Sequence, residues 1–254
     1  MAEVALERRD RVLVLTIDRP HVRNAISPGV ARELAAGLDE LDGDSSLSAG
    51  VITGAGGYFS AGMDLKAFAE TGELPHVPGR GFAGLVERPP AKPLIAAVEG
   101  FALAGGLEIA LACDIIVAAR GSLFGLPEVT RGLVAAAGGL LRLGEVVSRT
   151  TAMHMALTGE PIAAERAAEL GMVNILSEPG GALDAALGVA GRIAENAPLA
   201  VSASKAVLLE APAWDRESAW LRQRALIDPV LASEDAREGA RAFRDKRRPL
   251  WQGR

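Results

Sequence analysis

Apolar residues fill nearly every position of 12–17, 49–53, 92–98 and 114–119, and each run is short and ends at Gly or a charged residue. Runs of this length and bounding read as β-strands, with a further strand at 4–6 joined to 12–17 around an Arg-Arg-Asp turn. Between them the period changes. Val30, Leu34, Leu38 and Leu41 form one helical stripe behind Ser27-Pro28, an N-cap followed by proline at the first helical position. The spacing also predicts helices over 105–113, 148–157 and 163–170, and a strand over 172–176. Residues 71–90 carry several Gly and Pro and no periodicity, which reads as a loop. Beyond about Gly180 strand signals vanish, and 181–210 and 214–245 read as helices. Strands alternating with helices indicate an α/β protein.

Composition narrows the class. With 254 residues, 49% hydrophobic and 23% charged, the chain can bury a large core. A net charge of −5 argues against nucleic-acid binding, which leaves a basic footprint. One cysteine, Cys113 in an apolar run, excludes a disulfide framework and a cysteine metal cluster. The three histidines show no metal-ligand spacing; His154, between two methionines on a predicted helix, is expected to be packed. The first ten residues hold five charges and no apolar signal core, and no run is long enough for a bilayer, so a cytoplasmic location and no membrane partner are expected.

Candidate chemistry concentrates in a few segments. Gly54-Ala-Gly-Gly57 follows a strand, but the third glycine of a dinucleotide fingerprint would fall on Phe59. Phe59-Ser-Ala-Gly-Met-Asp-Leu-Lys66 is a small-residue turn entering a helix, where Ala61-Gly62 permits close backbone approach. Ala104-Gly-Gly106 opens the 105–113 helix, whose first amides have no helical acceptor and can face a carbonyl oxygen. Glu108 lies one turn along it among apolar neighbours, either buried or on the single polar edge. Glu128 follows Pro127 twenty residues later. Two carboxyls beside free amides supply an acid, a base and an oxyanion site. The 236–254 segment holds seven basic and two acidic residues; Arg237, Arg241, Arg244 and Arg248 share one helical face, read as solvated or as a phosphate contact.

Taken together the segments resemble the crotonase superfamily, specifically enoyl-CoA hydratases. The matching blocks run in order: Leu15-Thr-Ile-Asp-Arg-Pro20 with Asn24-Ala-Ile26, Val51-Ile-Thr-Gly-Ala-Gly56, the 59–66 turn, the 100–114 block and Phe124-Gly-Leu-Pro-Glu128. Leu157-Thr-Gly-Glu-Pro-Ile162 with Ala167-Ala-Glu-Leu-Gly-Met-Val173 follows, then Ser233-Glu-Asp-Ala-Arg-Glu-Gly239. The likeness covers essentially the whole chain.

The resemblance implies a spiral of ββα units with a helical C-terminal region. That places the core and acyl-CoA site in 1–190 and an oligomerisation region in 191–254, in a homotrimer or homohexamer. It implies an oxyanion hole from the Met63 and Gly105 amides, and Glu108 and Glu128 adding water across the 2,3 double bond of a 2-enoyl-CoA. Asn24, Ala25, Ala61, Asp64, Leu65, Lys66 and Lys246 would lie near the CoA moiety. Coenzyme A enters as part of the substrate, with no separate cofactor or metal. The chain departs from the pattern at Ala104, where a glycine is usual, at Ala135-Ala-Ala137 before Gly138-Gly139, and at Met63, where Ala is common. Parts of the sequence, including Phe82-Ala-Gly-Leu85, also look similar to carnitinyl-CoA dehydratases. Carnitinyl-CoA dehydration or enoyl-CoA isomerisation on the same scaffold is the alternative.

Overall fold

A computed structural model describes residues 2–254. Strands β1 (Val4–Arg9) and β2 (Val12–Ile17) pair antiparallel; helix α1 (Pro28–Gly43) and strand β3 (Ala49–Gly54) follow. Then come α2 (Leu65–Thr71), the short strands β4 (His76–Val77) and β5 (Gly81–Phe82), and β6 (Leu94–Val98). The centre of the chain holds β7 (Phe101–Leu103), α3 (Gly105–Ala112), β8 (Ile115–Ala119) and β9 (Leu123–Gly125), then a 3-10 helix at Pro127–Arg131. Next are α4 (Gly139–Val146), α5 (Arg149–Thr158), β10 (Ile162–Ala163), α6 (Ala164–Glu169) and β11 (Ile175–Ser177). The last helices are α7 (Ala182–Ala194), α8 (Pro198–Glu210), α9 (Ala219–Leu231) and α10 (Glu234–Arg244).

The main sheet has the order β1-β2-β3-β6-β8-β11 and is parallel except at β1–β2. A second sheet, β10-β9-β7, is extended beyond β7 by a bridge from Ser60 to Ala102. The chain therefore steps repeatedly from a main-sheet strand to the second layer and into a helix: β3, Ser60, α2; β6, β7, α3; β8, β9, the 3-10 helix. This repetition is the spiral of ββα units.

Its physical basis is a sheet covered on both faces, which demands continuous apolar strands rather than alternating ones. Leu13, Leu15, Ile52, Ala96, Val98 and Ala118 face one core with Leu34 and Leu38 of α1. Their strand neighbours Val51, Ile95, Ala97 and Val117 face the other, against Ala182, Ala186, Val189 and Ala190 of α7. Small residues on α7 let the helix lie close to the sheet. At the first helix Ser27 caps as expected, its Oγ accepting from the Val30 amide at 3.0 Å.

Several expectations need correction. The β1–β2 turn falls at Asp10-Arg11, one step later than Arg-Arg-Asp. Residues 71–90 are not a plain loop: they contain the β4–β5 hairpin and bury Ala83, Leu85 and Val86. Strand 172–176 shrinks to β11, with Met172 and Val173 buried in the turn before it. The long helix 181–210 is two helices, because Pro198 lacks an amide donor and restarts the chain as α8. The 214–245 helix likewise breaks at Ser233, whose Oγ caps α10 through the Ala236 amide. Arg248 lies beyond α10, so the four arginines do not share one helical face. His154 is exposed and Met155 is the buried residue of that turn, because α5 turns its 155 position to the core.

Candidate active site

Met63 and Gly105 come together because glycine holds both segments close. A Cβ on Gly62 (φ 89°) would sit 2.8 Å from the Gly105 nitrogen, and one on Gly105 would sit 3.4 Å from the Gly62 Cα. The Met63 strand is held by Ile26, whose amide donates to Gly62 O at 2.8 Å and whose carbonyl accepts from Asp64 N at 3.0 Å. That pairing leaves the Met63 amide between them without an acceptor. Gly105 is the first residue of α3, so its amide has no helical acceptor. Two free N–H groups from separate segments thus converge on one place.

Ala104, the residue before, has φ 52° and ψ −128°, a conformation unfavourable for an L side chain. It is fixed by its amide donating to Gly125 O at 2.9 Å and its carbonyl accepting from Leu107 and Glu108. The strain is held where the chain must turn sharply from β7 into α3.

Glu108 is 3% exposed on α3. Its Oε1 accepts from the Ala137 amide at 2.7 Å and the Gly139 amide at 2.9 Å. Burial raises its pKa, while the Gly139 and Ala137 amides and the Arg142 guanidinium oppose the rise. Gly139 must be glycine, since a Cβ there would sit 2.7 Å from the Glu108 Cγ. Glu128 stands on the 3-10 helix, half-buried, and its buried Oε2 has no hydrogen-bond partner among the described residues. Burial raises its pKa too, and the negative charge of Glu108 adds to the rise. The charge of Glu108 thus reaches the Glu128 carboxyl.

A cavity of about 540 Å³ opens beside Glu128. Its walls are largely apolar, from Leu126, Leu140 and Leu143 across to Met153 and Leu157 of α5; its ionisable lining groups are Glu128 and Arg149.

The remaining expected residues divide by what their side chains do. Asn24 is buried and fully engaged, its Oδ1 accepting from Arg19 N at 3.0 Å and its Nδ2 donating to Ala55 O and Tyr58 O. Asp64 caps α2 through the Ala67 amide and pairs with Arg19 at 3.0 Å. Ala25 and Ala61 lie on the same braced segments, Ala61 N donating to Arg23 O at 3.1 Å. Leu65 and Lys66 begin α2 and are exposed. Lys246 is exposed in the turn after α10, outside the lining of the cavity. Cys113 is partly buried, its Sγ donating to Ile109 O at 3.4 Å, and burial pushes its thiol pKa up. Sequence reasoning missed α4 and α5 as the cavity wall, and the Ala137 and Gly139 amides as partners of Glu108. The Gly138-Gly139 pair ahead of an apolar stripe was the available signal.

Known proteins resemble the chain over essentially its whole length. The family model described as enoyl-CoA hydratase/isomerase matches residues 7–254. A crystal structure of an enoyl-CoA hydratase from Mycobacterium tuberculosis H37Rv superposes with a TM-score of 0.98 at 56% identity, covering 100% of both chains. The chain is 39% identical to the 2,3-dehydroadipyl-CoA hydratase of Escherichia coli (strain K12), over 100% of each chain. It is 41% identical to the carnitinyl-CoA dehydratase of Shigella flexneri, over 98% of each.

Proposed function

We propose that this chain, which belongs to the enoyl-CoA hydratase/isomerase family, adds water reversibly across the 2,3 double bond of a 2-enoyl-CoA, with Glu108 as base and Glu128 as acid. The observation that carries the division of labour is the difference in hydrogen bonding. One Glu108 oxygen receives two amide donors, which favours its ionised form. Glu128 keeps a buried oxygen with no donor and faces a like charge, which favours its protonated form.

The steps follow from those charges. The thioester oxygen accepts from the Met63 and Gly105 amides. Glu108 takes a proton from a water held between the carboxyls, and the water oxygen bonds C3. The C2–C3 electron pair moves toward the thioester oxygen, where the two N–H groups hold the developing charge. Carbon C2 then takes the proton of Glu128. Water has been added, and one proton passing from Glu108 to Glu128 through solvent restores the pair. No cofactor or metal is needed beyond the CoA carried by the substrate.

The apolar cavity suits an uncharged acyl chain. Its one lining cation, Arg149, opposes the cationic tail of a carnitinyl-type substrate. The CoA moiety is assigned to the face formed by Ala25, Ala61, Leu65 and α2, with the exposed Lys66 and Lys246 available to its phosphates. Asn24 and Asp64 act there by bracing the backbone. A homotrimer or homohexamer belongs to the same reading. Its support is that α8 and α9 bury no residue while Leu208, Leu209, Trp220 and Leu221 are exposed. A cytoplasmic location completes it; no helix among the described residues is long and apolar enough to cross a membrane.

The test is crotonyl-CoA in oxygen-labelled water, followed by loss of the conjugated thioester absorbance. The expected product is 3-hydroxybutyryl-CoA carrying the label at C3. An isomerase would instead move a double bond without taking up label, and absence of turnover across a panel of short and medium enoyl-CoA thioesters would defeat the hydratase reading.

A further inference from the structure

Arg142, on the first turn of α4, is a cation that makes no direct ion pair among the described residues. No acidic oxygen lies within 4.0 Å of it among the described residues, although its side chain is only partly exposed. Some arginines elsewhere in the chain do pair: Arg8 with Glu40 and Asp44, and Arg247 with Glu238. An arginine withdrawn from water without a direct ion pair loses hydration, and burial lowers its pKa, with Glu145 and Glu108 opposing the fall. Such a placement needs a compensating role.

The contacts of Arg142 point in two directions. Its Nη2 donates to the carbonyl of Val86, in the segment that follows the β4–β5 hairpin. Phe82 of that hairpin packs against Gly105; a Cβ on Gly105 would sit 2.5 Å from the Phe82 ring. On its other side the guanidinium lies over Gly138 (φ 87°), where a Cβ would sit 2.5 Å from Nη1. The Arg142 amide also donates to Gly138 O at 3.0 Å. The next residue, Gly139, donates to Glu108. One side chain therefore links the wall behind Gly105 with the turn whose amides hold Glu108.

We propose that Arg142 is a positioning residue for Glu108: it clamps the 137–139 turn whose amides hold the Glu108 carboxylate and supplies the positive charge that carboxylate faces. The proposal rests on the reading of Glu108 as the base. The titratable groups around the pair are few. Glu128 faces Glu108 from the 3-10 helix, with Arg131 beside it. Glu145 on α4 and the Cys113 thiol at the end of α3 face Arg142. On the 75–88 segment Arg80 pairs with Asp39 and His76 with Glu87, while Arg88 is exposed. Arg142 is thus the cation whose field acts on Glu108.

The test compares Arg142→Gln, Arg142→Met and Arg142→Lys with the unaltered protein. The first readout is the pH profile of kcat/KM for crotonyl-CoA. The second is the infrared titration of the Glu108 carboxyl, identified as the band lost in Glu108→Gln, which needs no turnover. Removing the charge should raise the acidic limb and the infrared midpoint by about one pH unit, the size expected of a lost nearby counter-charge. Rates below the wild-type limb should then fall about tenfold. Arg142→Lys should keep the midpoint within about 0.3 of a unit, an interaction surviving with its charge, while lowering kcat through loss of the Val86 contact. Two neutral variants keep the test standing if one does not fold. A midpoint unmoved in the neutral variants, or moved equally in Arg142→Lys, overturns the proposal. If the unaltered protein hydrates nothing, the hydratase reading fails while the infrared titration still decides the role of Arg142.

Discussion

Glu108 lies inside α3 with one oxygen receiving two amide donors, whereas Glu128 lies on a cavity wall with a buried oxygen that receives none. Burial raises both pKa values; two amides of the 137–139 turn and the Arg142 guanidinium oppose the rise at Glu108, whereas at Glu128 its own backbone amide and Arg131 oppose it and the Glu108 charge adds to it. The contrast teaches that two identical side chains become base and acid through the backbone around them. Their own chemistry does not distinguish them. At position 139 the amide reaches the Glu108 carboxylate because no Cβ stands in the way.

The comparison breaks most sharply if either glutamate is neutralised. Glu108→Gln and Glu128→Gln should each lower kcat by about 10²–10⁴, the range of a general acid–base contribution, while acyl-CoA binding measured by calorimetry persists. Near-normal turnover in either variant removes that residue from the chemistry. Gly139→Ala attacks only the Glu108 side. Its Cβ would push the carboxyl from its amides, so kcat should fall by about 10²-fold, as a misplacement near 1 Å does. A substitution that leaves kcat intact would show that the amide cradle is dispensable.

A third test reads stability. Glu128 has its folded pKa raised, so the folded state binds more protons than the unfolded chain between the two pKa values. Stability from this group is therefore present at low pH and lost as pH rises through the folded value. Glu128→Gln should raise Tm more at pH 8 than at pH 5. An equal change at both pH values would place Glu128 in an unperturbed setting. The smallest effect concerns the strained turn that leads to Glu108 and has no counterpart before Glu128. Ala104→Gly relieves the positive φ, worth about 1–3 kcal/mol, against about 0.4–1 kcal/mol of added unfolded-state freedom. A net gain of about 1 kcal/mol in urea unfolding is expected, and a loss would mean that the turn is not strained.

Much of this was legible in the sequence. The continuous apolar strands and the Ser27-Pro28 helix start gave the α/β alternation, because a sheet covered on both faces and a capped helix leave strong local patterns. Glu108 and Glu128 stood out as acidic residues beside glycine and proline breaks. The ordered blocks added the family resemblance. What stayed hidden was tertiary. The β4–β5 hairpin has strands of two residues, too short to show a period. Helix α4 begins at a Gly-Gly pair that reads as a break. The partners of Glu108 are backbone amides 29 and 31 residues away, whose identity no side chain announces. The placement of Arg142 between Gly138 and the Val86 carbonyl is likewise visible only in three dimensions.

The most direct test of the account is the protonation state of each glutamate at the pH of maximal rate, read from infrared difference spectra. Glu128→Gln should remove a protonated carboxyl band, and Glu108→Gln should remove a carboxylate band. The reverse pattern, or carboxylate bands from both residues, would contradict the assignment of Glu108 as base and Glu128 as acid.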